Sequence, residues 1–112
     1  MRALPPSPLT AIVYASRNER EKIDPRLFQY RPEEVIDGDV AYYLGGINAL
    51  LGHREAALKW LRRTVELGDV NYPWFQRDKT YDKLRADPEY QSIMAGVRQQ
   101  WEANKQEFDL AP

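Results

Sequence analysis

The clearest pattern in the sequence is an apolar stripe at helical spacing near its middle. Its members are Val40, Tyr43, Leu44, Ile47 and Leu51. They fall at i, i+3, i+4, i+7 and i+11, positions that an α-helix brings onto one face. Gly52 follows directly, and glycine is common where a helix ends in the left-handed conformation. The pattern predicts a helix over residues 39–51.

A second stripe follows at the same spacing and ends before Gly68. It consists of Ala57, Trp60, Leu61, Thr64 and Val65. Glu55 and Lys59 lie one turn apart outside the stripe, so an ion pair between them is expected. Two helices joined by a tight turn predict an antiparallel helical hairpin over residues 39–68, the best-formed unit of the chain.

The N-terminal part of the chain has weaker patterns. Residues 1–6 are predicted to be a flexible lead-in. Ser7 and Pro8 are typical of an N-cap and a first helical residue, and the helix they begin is predicted to end near Arg17. Residues 24–32 contain prolines at both ends and are predicted to be irregular, with at most a short helix.

The C-terminal part is predicted to contain two short helical turns and then a long helix. Asn71 and Asp78 are suited to cap the two turns, and Asp87 is suited to cap the long helix. The apolar stripe of the long helix consists of Tyr90, Ile93, Met94, Val97 and Trp101, and the helix is expected to extend toward Phe108. No segment alternates as a strand does, so the predicted fold class is all-α.

Composition narrows the possible partners. The 112 residues suffice for one small domain, and 16 basic against 17 acidic residues leave a formal net charge of −1. This balance argues against nucleic acid and against an anionic membrane surface. Cysteine is absent, and no apolar run has the length of a signal peptide or a membrane span. The sequence therefore predicts a cytoplasmic protein that does not insert into membranes.

Internal similarity appears at a spacing of about 34 residues, the length of one helix-turn-helix repeat. Shifting the 39–68 unit back by this spacing places Ala11 under Gly45 and Asn18 under Gly52. Asparagine is the next most tolerant residue after glycine in a left-handed turn. The first helix is therefore interpreted as half of a decayed repeat, with Asn18 as its turn residue.

The hairpin resembles the tetratricopeptide repeat. That family's Leu-Gly pair, turn glycine, small residue and bulky residue are matched by Leu44, Gly45, Gly52, Ala57 and Leu61. The chain departs from the family pattern at Ala41, Asn48, Thr64 and Asp69. The resemblance implies helical-hairpin repeats, with one good unit flanked by degenerate ones. Residues 72–108 would then be a degenerate repeat or cap whose aromatic side chains cover the last unit.

The stretch RDKTYDKLRADPEY is also similar to tails that close tetratricopeptide arrays in bacterial multidomain proteins. This similarity implies that the chain forms, or derives from, the end of a longer array in a bacterial signalling or regulatory protein.

Candidate chemistry is sparse. His53 is the single histidine and there is no cysteine, so neither a metal nor a cofactor is predicted, and His53 is interpreted as a turn or cap residue. Asp37 and Asp39 are interpreted as alternative caps of one helix. No nucleophile with a base is recognisable, so the chain is not predicted to be an enzyme. The basic side chains Arg54, Lys59, Arg62 and Arg63 are interpreted as a solvated face, with an acidic partner as the alternative.

The family resemblance suggests where a partner would bind. Tetratricopeptide repeats line their groove with the first helix of each unit. The corresponding positions here are Asp39, Tyr42, Gly46, Ala49 and Leu50, with Tyr43 beside them. The leading hypothesis is a protein–protein interaction module that binds a peptide or helix on this face. The alternative is a structural cap or a self-association element that forms a homodimer through an open flank of the repeat.

Overall fold

The computed structural model of the chain describes residues 6–109, and the side chains of residues 6–107. The flexible lead-in predicted for residues 1–6 lies outside this range except for its last residue. The described residues form α-helices and 310 helices and no strand, which confirms the all-α class.

The α-helices are α1 (Pro8–Ser16), α2 (Gly38–Leu50), α3 (Arg54–Glu66), α4 (Tyr72–Arg77) and α5 (Pro88–Asp109). The 310 helices are Arg20–Lys22, Pro25–Phe28, Pro32–Glu34 and Lys79–Leu84. Their bounds agree closely with the predicted helices and helical turns. The 310 helices Arg20–Lys22 and Pro32–Glu34 were not predicted. The first is an all-polar run without an apolar stripe, followed by the buried Ile23, and the second begins at the proline that closes the segment predicted to be irregular.

Side chains cap the helices as predicted. The cap residues Ser7, Asp24, Asp37, Asn71, Asp78 and Asp87 each accept a hydrogen bond from a backbone N–H in the following turn. Of the two alternative caps of α2, Asp37 takes the role, and its carboxylate accepts from the N–H of Asp39 at 2.9 Å. Each cap satisfies a donor that the first helical turn leaves unpaired.

The first three helices end in the same way. Asn18, Gly52 and Gly68 have φ angles of 57°, 80° and 89°, in the left-handed region. The next N–H in each case reaches back to the helix, as from Glu19 to the Tyr14 carbonyl at 2.8 Å. These are Schellman motifs, and they confirm the left-handed turns predicted at Asn18 and Gly52.

The core has two clusters that meet on α2. One joins α1 and the 310 segments to Leu44, Ile47 and Trp60. The other joins the opposite side of α2 to α3, α4 and α5, with Leu61, Tyr81 and other buried side chains. Because both clusters use α2, eight of its 13 residues are buried. Helix α2 is therefore the central element of the fold.

The basic side of α3 holds the start of α5. Arg54 pairs with Asp87 and Glu89, and Arg62 also pairs with Glu89. The Arg54 guanidinium lowers the pKa of the Asp87 carboxyl, chiefly through their hydrogen bond. Arg63 pairs with Glu66 and donates to the Val35 carbonyl. Three of the four basic residues are thus used within the chain rather than being only solvated. The expected Glu55–Lys59 pair is wrong, because Glu55 pairs with Arg54 instead.

Candidate functional site

The partner-binding face predicted on α2 is largely buried. Tyr42 is 5% exposed and Ala49 is 2% exposed, and Gly46 is also buried. Tyr43 and Leu50 are half-buried, and of the six candidate residues Asp39 alone is exposed. In this conformation the middle of the predicted face offers no surface to a partner, because another part of the chain lies on it.

That part is the cover segment, residues 72–84, which comprises α4 and the 310 helix Lys79–Leu84. The Tyr42 ring stacks on Phe75 with centroids 4.6 Å apart and planes 11° apart. Tyr81 lies on the same ring, with centroids 5.1 Å apart. The aromatic side chains of the C-terminal stretch therefore cover α2, as the sequence analysis expected. Close aromatic pairs of this kind add to the stabilisation from buried area.

Hydrogen bonds fix the cover segment on α2. The Tyr42 hydroxyl donates to Asp78 Oδ2 at 2.6 Å, and the Tyr81 hydroxyl donates to the Tyr42 carbonyl at 2.6 Å. Burial raises the pKa of Tyr42, and the Asp78 carboxylate raises it further, so the phenol remains a donor at neutral pH. The polar tips of both tyrosines are satisfied, which removes the penalty of burying them.

Two glycines allow this close approach. A Cβ added to Gly45 would lie 2.5 Å from the Tyr81 hydroxyl oxygen, and one added to Gly46 would lie 2.6 Å from Thr80 Cγ2. Gly45 also lies where α2 crosses α3, since its added Cβ would be 3.4 Å from the Ala57 carbonyl oxygen. The contact of this glycine pair with the cover segment was not predicted, although the two adjacent glycines were a signal for it.

Arg85 fastens the end of the cover segment. Its guanidinium donates to the Tyr90 hydroxyl at 2.7 Å, to the Phe75 carbonyl at 3.1 Å and to the Asp78 carbonyl. The neighbouring Lys83 donates to the Leu50 carbonyl, at the C-terminal end of α2, at 2.7 Å. These bonds tie α4, the 310 helix and α5 to one another and to α2.

Asp39, the exposed member of the predicted face, lies among acidic neighbours. Partial burial raises the pKa of Asp69, and the Asp39 charge raises it further. Mutual repulsion of these carboxylates makes the position unfavourable for an acidic partner.

Helix α1 contrasts with α2. Ala11 and Ala15 are 2% and 3% exposed, whereas Leu9 and Val13 on its other side are 59% and 45% exposed. Nothing among the described residues covers this side of α1.

A concave region outside the predicted face was missed. It lies along α3 beside the segment that contains Arg20, Phe28 and Tyr30, and it encloses about 490 Å³. We call it the cationic cleft, because Arg20, Arg31 and Lys59 are among the residues that line it. Its residues are separated by up to 40 positions in the sequence, so no local pattern could have indicated it.

Comparison with known proteins gives no relative: no family model matches the chain, and no curated protein or solved structure matches it. The resemblance to the tetratricopeptide repeat stays a prediction. None of the helices within residues 6–109 is both long and apolar enough to span a membrane. The same residues contain no group of three or more potential ligands among His, Cys, Asp and Glu that could hold a metal ion.

Proposed function

We propose that this chain is a structural module that closes a helical assembly and docks on a neighbouring helical unit through α1. The observation that supports the proposal is the exposed apolar side of α1. The sequence of this helix, PLTAIVYAS, contains no charged residue. A surface helix normally carries charged or polar residues on its outer side, whereas α1 places Leu9 and Val13 there beside Thr10 and Ser16. Ala11 and Ala15 already pack inside, so Leu9 and Val13 supply the apolar surface for the neighbour.

The covered face of α2 supports the proposed closing role. The cover segment occupies this face, on the side of α2 away from α1, and leaves no surface there for a further unit. A peptide bound there would have to displace Phe75 and Tyr81, which are 2% and 1% exposed, together with the hydrogen bonds that hold them. Such a displacement would expose apolar surface at about 25 cal/mol per Å². We therefore place the docking surface on α1 rather than on the α2 face. The proposal follows the alternative that the sequence suggested, a structural cap or self-association element, and takes α1 as its open flank.

For the isolated chain, the neighbouring unit is a second copy. Leu9 and Val13 lie one helical turn apart, so two α1 helices packed about a twofold axis would place each pair against the other. Tyr14 and Ile12 are half-buried beside them and widen the surface.

Light scattering over a dilution series from low micromolar to several hundred micromolar tests the proposal. We expect a concentration-dependent dimer, and we expect Leu9→Glu/Val13→Glu to be monomeric with an unchanged circular dichroism spectrum. The matched control is Ile36→Glu/Trp74→Glu, which changes two exposed apolar residues elsewhere and should leave the dimer intact. A chain that is monomeric throughout, or a dimer that the α1 variant leaves unchanged, would contradict the proposal.

A further inference from the structure

The cationic cleft is an elongated depression along α3. Its 490 Å³ portion adjoins a second portion of about 410 Å³, and the two share Arg31, Pro32 and Lys59. One wall is α3 and the other is the chain around Tyr30 and Pro32. This shape suits an extended chain running along the helix better than it suits a compact ligand.

Aromatic side chains line the first portion. Phe28 meets the His53 ring edge-on, with centroids 6.2 Å apart. Tyr30 is 38% exposed, and the buried Trp60 also lines this portion. An apolar or aromatic side chain of a ligand would find contact area here without any rearrangement of the core.

Cations outnumber carboxylates around both portions. The cations are Arg20, Arg31, Lys59, Arg62 and Arg63, and the carboxylates are Glu33, Glu55 and Glu66. Most of these cations are already paired, as Arg62 is with Glu89 and Arg63 with Glu66. Among the described residues, Arg20 and Lys59 form no ion pair. These two cations are therefore available to a ligand.

The Arg20 guanidinium is held in place without being neutralised. It lies 5.0 Å from the centre of the Phe28 ring, and it is 3.2 Å from His53 Nε2. The Asn48 amide nitrogen donates to the Leu44 carbonyl at 2.8 Å, so the Asn48 oxygen is the atom that faces His53 Nδ1 at 3.1 Å. Nδ1 therefore donates its proton to Asn48.

With the proton on Nδ1, His53 Nε2 carries the lone pair that accepts from Arg20. A neutral partner orients the guanidinium and leaves its charge intact. Arginine oriented in this way is suited to a carboxylate, and its immobilisation lowers the entropy lost on binding. His53, interpreted from the sequence as a turn or cap residue, occupies the N-cap position of α3 but makes no side-chain cap bond.

We propose that the cationic cleft binds an acidic peptide in extended form, with an aromatic side chain between carboxylates that reach Arg20 and Lys59. The aromatic side chain contacts Tyr30 and Trp60. Glu33, Glu55 and Glu66 at the rim disfavour the closely spaced phosphates of a nucleic acid, and peptide carboxylates can be spaced to avoid them. The cleft is separate from the α1 surface, so this inference does not depend on the docking proposal.

A labelled peptide with the repeating pattern glutamate–phenylalanine–glutamate, blocked at both ends, is the probe. Fluorescence anisotropy at low salt should show saturable binding. Replacing its glutamates by glutamine, or its phenylalanines by alanine, should abolish saturation. In a spectrum of ¹⁵N-labelled protein, the Trp60 indole and the amide of Ala56 should shift on titration, because both residues line the cleft.

Lys59→Glu tests the cleft with little risk to the fold, because Lys59 is exposed and has no partner to lose among the described residues. We expect at least about tenfold weaker binding, since a charge-assisted contact becomes a repulsion. Arg20→Gln should also weaken binding of the peptide. The control is Lys79→Glu, the same charge change at an exposed site on the cover segment, and it should bind as the unchanged chain does.

The proposal would be overturned if the peptide shows no saturable binding, or if Lys79→Glu loses as much affinity as Lys59→Glu. It would also be overturned if a single-stranded oligonucleotide binds more tightly than the peptide. The α1 variant Leu9→Glu/Val13→Glu should bind the peptide normally, so failure of one proposal is distinguishable from failure of the other.

Discussion

Helices α1 and α2 are both rich in apolar residues, but they differ in how many of their sides are packed. Helix α2 is packed on both sides, because the N-terminal cluster takes one face and the cover segment takes the other. Helix α1 is packed on the side of Ala11 and Ala15, and Leu9 and Val13 remain exposed. Apolar spacing identifies a helix that needs a partner, and the packing of distant segments decides whether that partner comes from the same molecule.

The largest effect on stability should come from removing the ring of Tyr81, which is buried where the cover segment packs on α2. Tyr81→Ala deletes a side chain that is 1% exposed and its hydrogen bond to the Tyr42 carbonyl. We expect a loss of about 3–5 kcal/mol in the free energy of unfolding, as for other large aromatic side chains cut to alanine in a core. Urea denaturation measures it.

The control for Tyr81→Ala is Trp74→Ala, which cuts a large aromatic side chain that is 54% exposed on the same segment. It should change the free energy of unfolding by no more than about 1 kcal/mol. Equal losses in the two variants would show that the cover segment is not packed on α2 as described.

A smaller effect should come from preventing the close approach of the cover segment. The Cβ of Gly45→Ala would lie 2.5 Å from the Tyr81 hydroxyl oxygen and 3.1 Å from Trp60 Cβ. We expect a loss of about 1–3 kcal/mol from overpacking, even though alanine favours helix. Thermal or urea unfolding gives the value.

Gly96→Ala is the matched change in α5, where an added Cβ meets nothing within 4 Å. It should stabilise the chain by about 0.5–1 kcal/mol through helix propensity alone. Opposite signs for the two glycine variants would sharpen the distinction between a packed and a free helix surface. If Gly45→Ala is also stabilising, the tight packing on α2 is contradicted.

The smallest effect should come from the ion pairs between α3 and α5. Arg54 lowers the pKa of Asp87 in the folded chain relative to its ordinary value of 3.8. A carboxyl whose folded pKa is lowered contributes stability above its unfolded pKa, and the contribution is lost as the pH falls through the folded pKa. Arg54→Gln should therefore be slightly less stable than the unchanged chain at neutral pH, and the difference should shrink below pH 3.8.

Urea titrations of both chains at several pH values measure this difference. The pairs are exposed to solvent, so the difference at neutral pH should also fall with added salt. A difference that grows on acidification would contradict the assignment of Asp87 as the partner of Arg54.

The sequence by itself determined the α-helices, because the signals for them are local. Cap residues such as Asp37 and Asp87, left-handed positions at Asn18 and Gly52, and the apolar stripes all lie within a few residues of the bonds that they make. The resemblance to the tetratricopeptide repeat implied that the C-terminal aromatic residues would cover the central hairpin, and in the structure Phe75 stacks on Tyr42.

Only the tertiary structure decided which surfaces remain open. The resemblance to the tetratricopeptide repeat placed Tyr42 on an accessible face. The resemblance does not include the contact with the later segment, residues 72–84, that buries Tyr42 in this chain. The cationic cleft likewise joins Arg20 to His53 and Lys59 across the fold. Burial and cleft formation depend on contacts between distant segments, and a periodic pattern carries no information about where those segments meet.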